Sequence, residues 1–262
     1  MTAARGGPWD AGAPGAGADV AEPAPVGTWL VRVGASAAAA TDLAGVLDEQ
    51  ESRRLAATRH EAGRLRYLVA HVGLRVLLGA RLGESPGRIR FRREACPMCG
   101  GPHGRPAIDG EPGLHFSLSH SGDTVLYGLA ARPVGVDIEA PSRRHARFDL
   151  SSHLHPDEQR DIAALPAGRR TAAMLNCWVR KEAYLKGTGA GIAAGVGGVY
   201  TGLGPEFSGP GPAVAPPGWA LLDVQAPAGH PAAAAVEKGS AAVVPDPGPL
   251  RPWPLHLHEV DG

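Results

Sequence analysis

The chain has 262 residues, and its 26 Lys plus Arg balance 26 Asp plus Glu, so the formal net charge at pH 7 is zero. A neutral chain carries no global field to draw it to nucleic acid or to an anionic membrane, and neither is expected as a partner. No run of ~18 apolar residues is available to span a bilayer, the first residues lack the apolar core of a secretory signal, and an odd count of three cysteines suits reduced thiols or a metal better than a disulfide framework. The expectation is a soluble cytoplasmic monomer.

Residues 1–26 are Ala, Gly and Pro without apolar periodicity, which reads as a disordered leader. "TWLVRV" (28–33) alternates and predicts the first strand. The stretch 43–83 predicts two helices, the second with Leu65, Leu68, Val72, Val76 and Leu77 at helical spacing. "RIRFRREA" predicts a strand, "CPMCGGPHGRPAI" a tight loop, and "LHFSLSHSGDTVLYGLA" a hairpin turning at Ser121-Gly122-Asp123. "PVGVDIEA" follows as a short strand. "HPDEQRDIAALP" is a helix opened by Pro156, and a longer helix runs from Ala167 to a glycine-rich end at Gly187 and Gly189. Residues 190–217 read as loop, and "GWALLDVQAP" with "AAAAVEKGSAAVV" as a second small sheet. Mixed strands and helices in two similar halves, 27–131 and 132–262, argue an α+β fold.

Two of the chain's three lysines, Lys181 and Lys186, fall within "WVRKEAYLKGTG", although arginine supplies the other 23 basic side chains. Lysine differs from arginine in offering a compact ammonium that can lose its proton, so the stretch suggests lysine chemistry. An ordinary surface i,i+4 pair between Glu182 and Lys186 is the competing reading. In "GVDIEA", Asp137 and Glu139 are two apart on a predicted strand and leave the same face. Carboxylates so placed suit Mg²⁺, which takes one or two of them and fills its octahedron with water and phosphate oxygens. Glu182 shares the apolar stripe of the long helix, where a carboxylate must be paired or bind a metal. Together these groups could hold and polarise a pyrophosphate.

Ser119 and His120 in "FSLSHS" sit at a strand end. No nucleophile elbow or third triad member accompanies them, so a phosphate contact or a structural histidine fits better than a serine hydrolase. Cys96, Cys99 and His103 in "CPMCGGPHG" form a C-x₂-C knuckle with a third donor. A structural zinc there competes with reduced cysteines that merely frame a turn. Arg105, in the adjoining "GRP", could fork onto a phosphate.

In combination, "GVDIE", "WVRKEAYLKGTG" about 40 residues later, and "GRP" and "FSLSHS" upstream resemble the 4′-phosphopantetheinyl transferase superfamily, in particular its long, surfactin-synthetase-activating branch. The resemblance covers about residues 50–190. It implies two α+β halves related by a pseudo-twofold axis, with coenzyme A and Mg²⁺ or Mn²⁺ in the cleft between them and an acyl or peptidyl carrier protein as partner. Asp137, Glu139 and Glu182 match its metal carboxylates. Lys181, Lys186, Ser119, His120, Arg105, Arg54 and Arg66 match its coenzyme A contacts, and Glu158 matches an acidic position between the two motifs. Glu158 and Lys186 are thereby the catalytic candidates, the first to activate the carrier serine and the second to protonate the departing bisphosphate. Glu51 stands where the pattern has a basic residue, with Arg53 as a substitute. A Mg²⁺-dependent phosphoesterase that hydrolyses coenzyme A or nucleotides without a carrier protein, and a zinc-knuckle interaction module, are the rival functions.

Overall fold

The computed structural model describes residues 26–110, 113–140, 150–191, 195–208, 214–239 and 257–259. Apart from Val26, the expected leader lies outside the described residues. The fold is α+β. Strand β1 (Gly27–Arg32) leads into helix α1 (Val33–Asp42), followed by α2 (Glu49–Ala57) and α3 (Glu61–Leu82). Short strands β2 (Phe91–Arg93) and β3 (Pro106–Ile108) flank the cysteine loop, and the hairpin β4 (His115–Ser121) and β5 (Thr124–Ala130) comes next. After β6 (Val134–Ile138) come α4 (Pro156–Ala164), α5 (Ala167–Thr188), the single turn α6 (Pro205–Ser208), and strands β7 (Trp219–Asp223), β8 (Ala232–Glu237) and β9 (Leu257–Glu259).

The sheets are antiparallel. One has the order β4-β5-β1-β9, with Leu30 opposite Leu126 and opposite His258. The others are β6-β8-β7 and the β2–β3 ribbon. Three elements differ from the sequence expectation. Helix α1 has the sequence VGASAAAATD, with no long apolar stripe, and is held by packing on α3 through small buried residues such as Ser36 and Ala40. Strand β3 falls inside the segment read as loop and pairs with β2. Strand β9 returns the end of the chain to β1 in the first sheet.

Two cores follow from this order. Trp29, Val31, Leu74, Leu77, Leu78, Val125 and Tyr127 join α3 to the first sheet, and Val179, Ala183, Trp219, Leu221 and Ala235 join α5 to the third. Helix α5 rests on β6 at backbone contact. A Cβ added to Gly135 would stand 2.0 Å from the Ala183 carbonyl oxygen, and one added to Gly187 would stand 2.6 Å from the Trp219 ring. Only glycine permits that approach. Among the described residues no helix is long and apolar enough to cross a membrane.

Glu51, the acid at a position where a base was expected, has a structural occupation. Helix α2 opens with a capping box in which the Glu51 N–H donates to Asp48 Oδ1 at 2.9 Å and the Asp48 N–H donates to Glu51 Oε2 at 3.0 Å. The same two carboxylates receive the fully buried Arg75, whose Nε donates to Glu51 at 2.6 Å and whose Nη2 donates to Asp48 at 2.7 Å. Burial alone would raise the Glu51 carboxyl, but bonds from His71, the Asp48 amide and Arg75 outweigh it and hold the group below its ordinary value. Glu51→Ala should therefore cost about 3 kcal/mol in denaturant unfolding, because a buried guanidinium keeps only one of two anions. The sign for pH follows from the lowered folded value: the Glu51 contribution is present above the unfolded carboxyl value and is lost as pH falls through the folded one. A loss under about 0.5 kcal/mol, the scale of a plain surface change, would contradict this assignment.

Candidate active site

Strand β4 and strand β6 belong to different sheets and are stitched together by three serines. Ser117, Ser119 and Ser121 alternate along β4 and so face one side. The Val136 N–H donates to Ser117 Oγ at 3.0 Å, Ser119 Oγ donates to Asp137 Oδ1 at 2.7 Å, and Ser121 Oγ donates to Glu139 Oε2 at 2.8 Å while accepting from the Ala140 N–H at 2.9 Å. The sequence reading singled out Ser119 and missed its two neighbours, although the Ser-x-Ser-x-Ser alternation was a signal for a polar seam. His120 leaves the opposite face and is exposed, so adjacent motif residues do different jobs.

Asp137 on β6 and Glu139, one residue past its end, both face the serines of β4, and α5 brings Glu182 and Lys186, one turn apart, against them. Lys186 Nζ donates to Asp137 Oδ1 at 2.6 Å, to Ser119 Oγ at 3.1 Å and to the Val136 carbonyl at 3.2 Å. Burial, then the negative charge of Asp137 and, more weakly, of Glu139, push the Glu182 carboxyl up to about 7 against the opposing pull of Lys186. Asp137 is 4% exposed, and its Oδ2 is buried without a hydrogen-bond partner. Among the described residues only Cys96, Cys99 and His103 bring three ligand atoms within 4.8 Å of one another; Asp137, Glu139 and Glu182 are donors of the hard type that suits Mg²⁺, with one orphaned oxygen among them, and would have to draw closer to share an ion.

Beside this group lies a cavity of about 340 Å³ between the β3–β4 side and the end of α5, lined by Arg105, Phe116, Leu118, Leu185, Lys186 and Gly189 among others. Arg105 is only partly available to it. Its Nη1 donates to the Gly187 carbonyl at 2.7 Å, a cation on a helix C-terminus, and its Nη2 pairs with Glu94 at 2.7 Å. Its Nε is buried without a partner. Arg66 donates from Nε to the Gly122 carbonyl at 2.8 Å, at the β4–β5 turn. Desolvation, followed by the charges of Arg66, Lys186 and His71, holds the His120 imidazole below its ordinary value. Arg54 is exposed and lies over the Tyr67 ring, 5.9 Å from its centroid.

Lys181 and Glu158 are not brought to this group. Five residues separate Lys181 from Lys186, about 140° around the helix, so the two lysines face different sides of α5. Lys181 is 1% exposed and Glu158 fully buried, and they pair at 2.8 Å. Lys181 also donates to the Val199 carbonyl. Glu158 accepts from the Thr201 N–H at 2.7 Å, from the Thr201 hydroxyl at 3.0 Å and from the His155 N–H at 3.0 Å, the last closing a capping box on α4. A carboxylate enclosed and saturated in this way cannot meet an incoming serine, and an ammonium so enclosed cannot reach a nucleotide. Burial and the Glu158 charge also raise the neighbouring Cys177 thiol. The sequence put Lys181 beside Glu182, although the ~100° rotation per residue already sets sequence neighbours on different faces of a helix; what it could not show is the buried partner that Lys181 meets there.

Comparison with known proteins points to the same segment. Residues 133–201, from β6 through α5, match the family model of the 4′-phosphopantetheinyl transferase superfamily. The 4′-phosphopantetheinyl transferase psf-1 of Bacillus pumilus is 38% identical over 97 residues, covering 36% of this chain and 40% of that protein. The 4′-phosphopantetheinyl transferase HetI of Nostoc sp. is 32% identical over 157 residues, 58% and 63% of the two chains. The 4′-phosphopantetheinyl transferase Sfp of Bacillus subtilis is 25% identical over 135 residues, 51% and 56%. The chain thus spans less than two thirds of the length of each of these relatives.

The raised Glu182 carboxyl makes a prediction with a definite sign. Between its usual 4.5 and about 7, the folded metal-free protein holds a proton that the unfolded chain has released, so stability falls as pH rises through that window. Glu182→Gln should remove this slope in thermal melts run in chelator across the same range. An unchanged slope in the variant would show that the proton resides elsewhere.

Proposed function

From a segment that matches the family model of the 4′-phosphopantetheinyl transferase superfamily, we infer that the chain transfers the phosphopantetheine arm of coenzyme A to a serine of an acyl or peptidyl carrier protein, with adenosine 3′,5′-bisphosphate as the other product. The observation that carries the reading is the orphaned Asp137 Oδ2 amid Glu139, Glu182 and Lys186 at the edge of the cavity. Asp137, Glu139 and Glu182 would hold Mg²⁺, which when bound supplies positive charge to the pyrophosphate. The free thiols of Cys96, Cys99 and Cys177 support a reducing compartment such as the cytoplasm as the setting of the reaction.

The chain's own residues act by positioning and charge, as phosphoryl transfer requires. The serine oxygen forms a bond to the phosphorus that carries the pantetheine arm, the bond from that phosphorus to the bisphosphate oxygen breaks, and the serine proton passes to solvent water, which in turn reprotonates Lys186. Lys186 gives a proton to the departing oxygen, a step open to an ammonium and closed to a guanidinium. Ser119 holds Asp137 in place while Lys186 is engaged elsewhere. His120, exposed near the end of β4, offers a ring nitrogen to a phosphate oxygen, Arg66, bonded to the β4–β5 turn, offers fixed charge, and Arg54 is a further cation. Arg105 closes the cavity by tying β3 to the end of α5. Glu158 and Lys181 hold segment 199–201 and α4 against α5 and so support the site without touching the reactants.

The test is incubation with coenzyme A, Mg²⁺ and a panel of apo carrier proteins, read by intact mass. A carrier should gain one phosphopantetheine, and Asp137→Ala should abolish the gain while the protein stays folded. Coenzyme A consumed without any carrier modified would favour the phosphoesterase instead. Lys186→Arg separates charge from proton transfer: it should lower kcat by ~10² to 10⁴, the usual worth of a positioned general acid, with coenzyme A affinity little changed. Turnover within about threefold of wild type would reduce Lys186 to an electrostatic clamp.

A further inference from the structure

The cysteine loop between β2 and β3 is more ordered than a simple turn requires. Cys96 and Gly101 close it, the Cys96 N–H donating to the Gly101 carbonyl at 2.8 Å and the Gly100 N–H returning to the Cys96 carbonyl at 2.7 Å. Its far end is latched to the ribbon, where the Gly104 N–H donates to the Glu94 carbonyl at 3.0 Å and the Glu94 N–H donates to the Arg105 carbonyl at 3.0 Å. Within this frame one donor atom each from Cys96, Cys99 and His103 all lie within 4.8 Å of one another. Cys99 Sγ stands 3.0 Å from His103 Nε2.

Two sulfurs and an imidazole nitrogen are a soft donor set, suited to zinc and unsuited to Mg²⁺ or Ca²⁺. Zn–S bonds of ~2.3 Å and Zn–N bonds of ~2.0 Å in a tetrahedron imply donor separations of ~3.5 to 3.8 Å. The atoms already stand near that spacing, and small side-chain rotations would complete it. Cys99 and His103 are exposed, so an ion has a path in. Among the described residues no fourth Cys, His, Asp or Glu joins the group, which leaves the fourth position to water.

We propose that Cys96, Cys99 and His103 bind one zinc ion with water in the fourth position, and that the ion braces the loop from which Arg105 reaches the Gly187 carbonyl at the mouth of the cavity. The carboxylate group and this knuckle are two metal sites of opposite chemical taste, one hard and one soft. The loop that precedes Gly104 and Arg105 is thereby fixed by a bond network rather than by apolar contacts, which suits a segment with Met98 exposed and little core of its own.

The protein, purified under reducing conditions without chelator, should contain one zinc per chain by elemental mass spectrometry, and excess Mg²⁺ should leave it in place. After zinc removal, Co²⁺ should give the thiolate-to-cobalt charge-transfer band and the visible bands of a four-coordinate site. Cys99→Ser and His103→Ala should each weaken zinc at least about tenfold against a chromophoric chelator. Chelation should lower the melting temperature of the wild type but not of these variants. The proposal is overturned by absence of a stoichiometric ion and of the cobalt band, by variants that bind zinc as the wild type does, or by a Cys96–Cys99 disulfide in the reduced preparation.

Discussion

The approach of α5 to β6 governs everything functional in this molecule. With no side chain at Gly135 or Gly187, the helix backbone settles onto the strand, and one turn of helix then sets Glu182 and Lys186 over Asp137 and Glu139. A methyl group at Gly135 would have to displace the Ala183 carbonyl, and a displaced helix would draw Lys186 Nζ away from its 2.6 Å contact with Asp137. The serine seam completes the constraint from the other side. Because Ser117, Ser119 and Ser121 each bond β6, the first sheet cannot shift relative to the third without uncovering buried polar groups, each of which carries a desolvation penalty.

Helix α5 therefore separates two ionic groups on its two sides. Lys186 faces carboxylates that lack enough positive charge, and Lys181 faces a carboxylate that is fully satisfied. Both positions call for lysine, for different reasons. The buried Lys181 ammonium bonds both Glu158 and the Val199 carbonyl, the work of a compact point charge. Arg180, the residue before, shows what arginine is used for here: its fork engages Asp223 and the Thr201 and Val214 carbonyls and ties three segments together.

Much of this site was legible in the sequence. The alternation of Asp137 and Glu139 and the one-turn spacing of Glu182 and Lys186 each fix a shared face, so four residues from two elements could be named before any coordinates. Glu158 and Lys181 were legible only as types. Whether a carboxylate meets solvent or a buried ammonium depends on contacts across 43 residues of chain, between Glu158 and Thr201, and no local periodicity encodes that. Glu51 was hidden for a related reason, since its partner Arg75 lies 24 residues away. Helix α1 escaped because alanine carries little amphipathic signal, and β9 because three residues carry almost none. Strand β9 comes late in the chain and pairs with β1 of the first sheet.

The central proposal is that the Asp137, Glu139 and Glu182 carboxylates would close on a dication, and that a proton offsets part of their charge until the ion arrives. Titration calorimetry with Mg²⁺ in the presence of coenzyme A tests it most directly, run just below the Glu182 value of about 7 in two buffers of different ionisation enthalpy. The account predicts one Mg²⁺ per chain with release of a proton to the buffer, and both weaker binding and loss of that proton in Glu182→Gln. Binding without proton release, or the same release in the variant, would contradict it.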